Sequence, residues 1–204
     1  MASRRSRLWL MTLPFVVVLA TTLVVMVPNR LSADIYTATR LAALLGYQLI
    51  FIAVLSSAFV RPLTKAFGQP FVKLHHIVAL SGLALICLHP VLASLSWNTY
   101  RILLPNLNSA SDFFQWSGSP AFDLLLLAVL AAAFRRRLKG AWRVIHMLTY
   151  VALLLGTIHA TTATFTTDLQ GGGVRWAAWL LALGGIVVFA LRRSVLRRRR
   201  RRAL

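Results

Sequence analysis

LHHIVALSGLALICLHPVLASL, residues 74–95, is an apolar run of 22 residues with His75 and His76 at one end and His89 toward the other. At a helical rise of about 1.5 Å per residue it measures ~33 Å, enough to cross the ~30 Å hydrocarbon layer of a bilayer. A second stretch, residues 142–160, repeats the arrangement with His146 and His159, and all five histidines of the chain lie in these two segments. An ionisable side chain inside a bilayer is expensive to keep there, so each of these histidines is a candidate functional residue.

Composition agrees with a membrane setting. The chain of 204 residues is 58% hydrophobic and only 13% charged, which excludes an ordinary soluble domain. Its four acids are Asp34, Asp112, Asp123 and Asp168, with no Glu, against 23 Lys and Arg, for a net charge of +19. So basic a chain would suit nucleic acid if the charge were spread over one surface. Here it falls in short clusters between apolar runs, the positive-inside pattern, so the expected partner is the lipid membrane and no nucleic acid is expected. The lone Cys87 excludes an intrachain disulfide, and a thiol redox role is not expected.

Working outward, six spans are expected. Residues 8–27 follow Arg4, Arg5 and Arg7; their length suits a crossing, and no small-x-small cleavage site follows, so they read as a first span rather than a signal peptide. The others are residues 40–60, 74–95, 120–134, 142–163 and 174–191, the fourth being short. A basic connection with two prolines and Gly68 precedes the third span. Residues 96–119 form a longer loop whose Trp97, Tyr100, Phe113, Phe114 and Trp116 suit an interfacial belt or a lid. The N-terminus, the second-to-third connection, the fourth-to-fifth connection and the C-terminus hold nearly all the Lys and Arg; the remaining loops hold Arg30, Arg101 and Arg175, with Arg40 at a span edge. The fold class expected is therefore all-α integral membrane: a six-transmembrane-helix bundle with N- and C-termini cytoplasmic, multi-pass in an inner or plasma membrane. The basic tail, residues 192–204, is expected to lie on anionic headgroups.

The third and fifth spans run in the same direction, which puts His75 and His146 near the cytoplasmic side and His89 and His159 toward the outside. His75 and His89 are 14 residues apart, ~21 Å along an axis and within ~40° of one face. His146 and His159 are 13 apart, which on an ideal helix leaves them ~140° apart, so the helix is overwound or its two histidines serve different flanks. Gly156 permits distortion or close approach there, and Pro90 is placed to re-aim His89. His76 points ~100° away from His75, so the two cannot share one iron; the 14-residue spacing favours His75 as a ligand, with His76 as a propionate partner or an interfacial histidine. Two stacked b-type haems, each with one imidazole from each helix, would use all four. The rivals are a metal-ion or proton transporter working through the same histidines, and a membrane anchor in which they are structural. A transporter should carry acids in its spans, where only Asp123 qualifies, and zinc would want one tight tetrahedral cluster.

HHIVA with His89 fourteen residues after His75, followed by HMLTYVALLLGTIHA, resembles the ferric reductase-like transmembrane domain superfamily, over about residues 36–191. That superfamily includes ferric reductases, NADPH oxidase catalytic subunits and the MsrQ-like haem-binding subunit of bacterial methionine-sulfoxide reductase. The resemblance implies three segments: residues 1–35 as a basic start and first span, 36–191 as the haem-binding domain, and 192–204 as the cytoplasmic tail. It implies two haem b groups, one between His75 and His146 and one between His89 and His159, these four being the metal ligands. Arg40, in TATRLA, resembles an arginine near the outer haem, its other reading being a headgroup contact; His76 stands where relatives carry Lys or Arg, which suits a propionate contact. WRVIH, residues 142–146, resembles the family's start to this helix. The implied function is a b-type cytochrome moving electrons from cytoplasm to outside, as the membrane subunit of a reductase system. No Gly-rich dinucleotide fingerprint follows a strand, so electrons are expected from a flavin reductase, a quinol, or FMN or FAD on a partner or at the cytoplasmic face. The acceptor would be ferric iron, dioxygen, or a periplasmic or extracellular protein.

Overall fold

Long runs of Leu, Val, Ala and Ile can satisfy their backbone N–H and C=O groups in lipid only by closing them within each segment, and this chain does so throughout with helices. The computed structural model describes residues 4–27, 32–57, 59, 63–65, 71–164, 168–169 and 171–202. Nine α-helices are found among them: α1 (Arg4–Met26), α2 (Ile35–Ser57), α3 (Phe71–Trp97), α4 (Ala110–Gln115), α5 (Gly118–Ala133), α6 (Arg135–Leu138), α7 (Ala141–His146), α8 (Leu148–Thr162) and α9 (Gly172–Arg202). The described residues contain no strand. Most of the expected connection before α3 lies outside the described residues.

Four helical stretches are long and apolar enough to cross a membrane: Ile35–Ser57, Val72–Trp97, Ala141–Thr162 and Gly172–Leu191. Two further apolar stretches, Thr12–Met26 and Gly118–Ala133, are shorter. Large apolar side chains point outward along them, among them Val24, Leu80, Leu95, Trp176 and Leu180, as a lipid-facing surface requires.

Element ends depart from the sequence expectation where local chemistry sets them. α2 starts at Ile35 rather than Arg40 because Asp34 caps it, its Oδ1 accepting from the Thr37 N–H at 2.7 Å while Ser32 donates to Oδ2 at 2.5 Å. α3 runs unbroken through Pro90 and stops at Trp97, where Asn98 takes a left-handed conformation (φ 49°) that Asn tolerates better than most residues. The expected loop at 96–119 holds α4, started by Ser109 whose hydroxyl accepts from the Asp112 N–H at 3.0 Å. α9 carries helical backbone from the sixth span on through Arg202, because arginine is a good helix former and nothing in the run breaks it.

The stretch expected as the fifth span is helical from Ala141 to Thr162 but divides at Met147. α7 ends at His146 and α8 begins at Leu148, and the junction is wound with i to i−3 hydrogen bonds: Met147 N–H to the Val144 carbonyl and Tyr150 N–H to the Met147 carbonyl, both 3.1 Å. Such tight turns advance about 120° per residue instead of about 100°. Each residue so wound adds ~20°, in the direction that closes the ~140° gap between His146 and His159.

Packing is by pairs. α2 lies along α3 and α5 along α8, whereas α3 and α8 make little direct contact. The α2–α3 crossing is close because both helices offer glycine there. A Cβ on Gly46 would meet Ile86 Cγ1 at 2.9 Å, and one on Gly82 would meet the Ile50 backbone nitrogen at 3.0 Å. Across the pairs, the Tyr47 hydroxyl bonds the Thr157 hydroxyl at 2.6 Å. α1 joins α2 through Gln48, which bonds Thr21 and, at 2.9 Å, Thr22.

Candidate functional site

The two helix pairs stand apart around an apolar cavity of about 320 Å³. Its walls include Leu44, Tyr47 and Ile50 of α2, Ile86 and His89 of α3, Leu125 of α5, and Leu153 and His159 of α8. Trp97 and Trp116, stacked edge to face with centroids 5.8 Å apart, line it from the 96–119 segment. Its polar lining includes the two histidines, Arg40, Asp123 and Asp168.

His89 and His159 share this cavity, close enough to influence each other's charge. Each gives its Nδ1 to a backbone carbonyl: His89 to Thr39 at 3.2 Å and His159 to Gln115 at 2.7 Å. A carbonyl oxygen can only accept, so in the neutral ring Nδ1 carries the proton and Nε2 carries the lone pair. The same holds for His146, whose Nδ1 donates to the Ala128 carbonyl at 2.9 Å. His75 is held less firmly. Its Nδ1 is buried and completes no hydrogen bond among the described residues, although the Ala53 carbonyl faces it. His75 lies close enough to His76 and His146 to feel the charge of either, and neither His75 nor His146 lines the cavity. His76 is exposed, its ring 5.8 Å from that of His75. Among the described residues no three His, Cys, Asp or Glu side chains gather closely enough to hold a metal ion between them.

Gly118 makes room for the outer pair. A Cβ there would lie 2.8 Å from Cδ2 and 2.9 Å from Nε2 of His159. The segment from Gln115 to Gly118 therefore holds the His159 ring by a carbonyl at one end and leaves space for it at the other.

Arg40 does not face headgroups. It is buried, and its Nε donates to Asp168 Oδ2 at 2.6 Å while its Nη2 bonds Oδ1 of the same carboxylate. The Arg40 guanidinium also lies 5.5 Å from the centre of the Tyr36 ring. Sequence reading singled out Arg40 and the five histidines but missed Asp168, Gly118 and the carbonyls of Thr39, Gln115 and Ala128. The signal for Asp168 was present: it is the one acid between the stretches expected as the fifth and sixth spans. Gly118 and the carbonyls left no such trace.

An all-helical membrane domain with His89 and His159 facing one cavity between its helix pairs defines the class as an integral membrane protein with imidazoles set into its interior. Residues 39–157 match the family described as ferric reductase like transmembrane component, and the chain belongs to that family. It is thus a membrane oxidoreductase component with an electron-transfer role. No curated protein matches the chain. No solved structure matches it either.

Proposed function

We propose that the protein is a b-type cytochrome that passes electrons across the membrane through two haems, with His75 and His146 as ligands of the inner one and His89 and His159 of the outer. One observation carries this reading: His89 and His159 flank one apolar cavity, and each has its Nδ1 proton committed to a backbone carbonyl, leaving Nε2 as the ligand nitrogen. A second atom holding the far ring nitrogen is the usual way proteins orient a metal-binding imidazole and raise its basicity. The donor set therefore fits haem iron: neutral imidazoles in pairs, apolar walls and no carboxylate among the ligands. His146, tied to Ala128, fits equally, and the overwound junction at Met147 helps turn it and His159 toward one side.

When bound, haem supplies a one-electron couple at each level; the protein supplies the rest. Its backbone carbonyls fix the tautomers, Gly118 keeps the space beside His159 open, and Trp97 and Trp116 cover the cavity against water. His76, exposed beside His75, is assigned to an inner propionate, and Arg40 to the outer edge. Residues 36–191 form the haem-binding domain in a six-span arrangement with both termini cytoplasmic, which the alternating basic clusters support. The membrane is then an inner or plasma membrane. Electrons enter at the cytoplasmic face from a quinol or a separate flavin reductase, with FMN or FAD there or on the partner. They leave outside to ferric iron, dioxygen or an exported protein.

The test is a reduced-minus-oxidised visible spectrum of the purified protein with haem quantified per chain. The expected result is a b-type spectrum at two haems per chain, falling to one in His89→Ala and in His146→Ala. Protein that stays colourless when made with haem in excess overturns the proposal.

A further inference from the structure

The Arg40–Asp168 pair brings together residues 128 positions apart on the wall of the cavity, since both side chains line it. Taking two charges out of water is unfavourable, and a helix edge in a bilayer offers arginine an easier place among headgroups. Here the guanidinium instead points inward and is met by both oxygens of one carboxylate, each residue being under 10% exposed. The neighbour of Arg40 in the chain is Thr39, whose carbonyl takes the Nδ1 proton of His89. Asp168 is thus held against Arg40 on the cavity wall, and Arg40 sits one peptide from the group that orients His89.

We propose that Asp168 is a positioning residue that cancels the charge of Arg40 beside the outer pair and so sets the reduction potential of the outer centre. The inference rests on the haem reading above. A reduced centre carries one positive charge fewer than an oxidised one, so a nearby uncompensated cation favours reduction and an uncompensated anion opposes it. With the pair intact the two effects offset each other. Removing the carboxylate alone adds one net positive charge beside the outer pair; removing the guanidinium alone adds one net negative charge; removing both leaves the net charge as it was. At an effective dielectric of about 20, one unit charge on the wall of the same cavity is expected to change the ratio of reduced to oxidised centre about tenfold.

The experiment is a redox titration of the purified full-length protein in detergent, followed at the visible haem bands, for wild type, Asp168→Asn, Arg40→Gln and the double variant. Asp168→Asn is expected to raise the outer midpoint by about tenfold in that ratio, equal to ~59 mV for a one-electron couple. Arg40→Gln is expected to lower it, and the double variant to return close to wild type. Two single variants shifting the same way, or a double variant no closer to wild type than either, would mean a structural role only and overturn the inference. So would an Asp168→Asn midpoint within twofold of wild type. If Asp168→Asn does not accumulate in the membrane, the comparison of Arg40→Gln with the double variant decides alone: adding the second change must raise the midpoint, and no rise refutes the assignment. A wild-type protein without haem overturns the proposed function instead, so the two failures are distinguishable.

Discussion

Gly118→Ala tests the geometry of the outer pair most directly. The added methyl would stand 2.8 Å from Cδ2, 2.9 Å from Nε2 and 3.0 Å from Cγ of His159. Carbon contacts settle at about 3.5–4.0 Å, so the ring must retreat by roughly 0.5–1 Å. It cannot do so freely, because its Nδ1 is 2.7 Å from the Gln115 carbonyl and a hydrogen bond fades beyond about 3.2 Å. Overpacking of this kind costs about 1–3 kcal/mol, and replacing glycine by alanine in a helix returns up to ~1 kcal/mol. The net loss of stability, about 0–2 kcal/mol, is too small to be diagnostic. The displaced ligand is diagnostic: haem per chain should fall from two toward one, the remaining haem being the inner one, while thermal unfolding changes little. Gly140→Ala is the control, since nothing lies within 4 Å of a Cβ there and its backbone is helical (φ −73°). A Gly118→Ala protein with full haem content and an unaltered spectrum would refute the reasoning.

Gly82→Ala should destabilise the bundle without touching a ligand, by up to about 2 kcal/mol after the helix gain of alanine is subtracted, because the new methyl meets the backbone of Ile50 at 3.0 Å and α2 and α3 must part; thermal unfolding in detergent reads it. Tyr47→Phe removes the bond to Thr157, but Thr157 keeps its bond to the Leu153 carbonyl at 2.8 Å, so the loss should be near the ~0.6 kcal/mol typical of hydrogen bonds between membrane helices. Gln115→Ala should leave the haem content unchanged, since the group that holds His159 is the backbone carbonyl; loss of one haem would show that the side chain does the holding. The Asp34 carboxylate is held below its ordinary value of 3.8, chiefly by the Ser32 hydroxyl and then by the Thr37 N–H. A depressed carboxylate stabilises the fold above its unfolded pKa and loses that contribution as pH falls through the lower folded value. Acid unfolding below about pH 3.8 should therefore be less steep in Asp34→Asn than in wild type.

Much of the architecture was legible in the sequence because lipid simplifies the code. An apolar run of spanning length can hardly be anything but a helix, and histidine is rare enough in such runs that spacing alone separates His75 with His89 from His146 with His159. The misreadings have physical causes. Residues 142–163 carry no proline or internal break that marks the junction at Met147; only the two histidines, incompatible on one ideal helix, hinted at overwinding there. Arg40 was read as equally suited to headgroups, because a sequence does not reveal that an acid, Asp168, folds back onto it from 128 residues away. Pro90 was expected to re-aim His89, yet α3 continues through it and the Thr39 carbonyl aims that ring.

The acceptors that orient three of the four paired imidazoles belong to the main chain, and this explains both why they left no trace in the sequence and why a membrane protein would use them. A side-chain acceptor such as carboxylate would bring a second buried charge to each histidine, with its own desolvation penalty and its own counter-ion to find. A helix carbonyl is already present, is neutral, and has a second lone pair available beyond its bond within the helix. Thr39 and Ala128 lie inside α2 and α5, where that second lone pair is what His89 and His146 receive; Gln115 ends α4, where carbonyls lack a partner in their own helix. The orientation of the site is therefore a property of how α2, α4 and α5 are placed against α3, α7 and α8. The tight glycine contacts at 46, 82 and 118 help to set this placement, together with the Tyr47–Thr157 bond across the pairs. The cation the outer site buries, Arg40, is met at once by Asp168, so the site gains a cation and an anion together, and the other carboxylate of the lining, Asp123, is exposed.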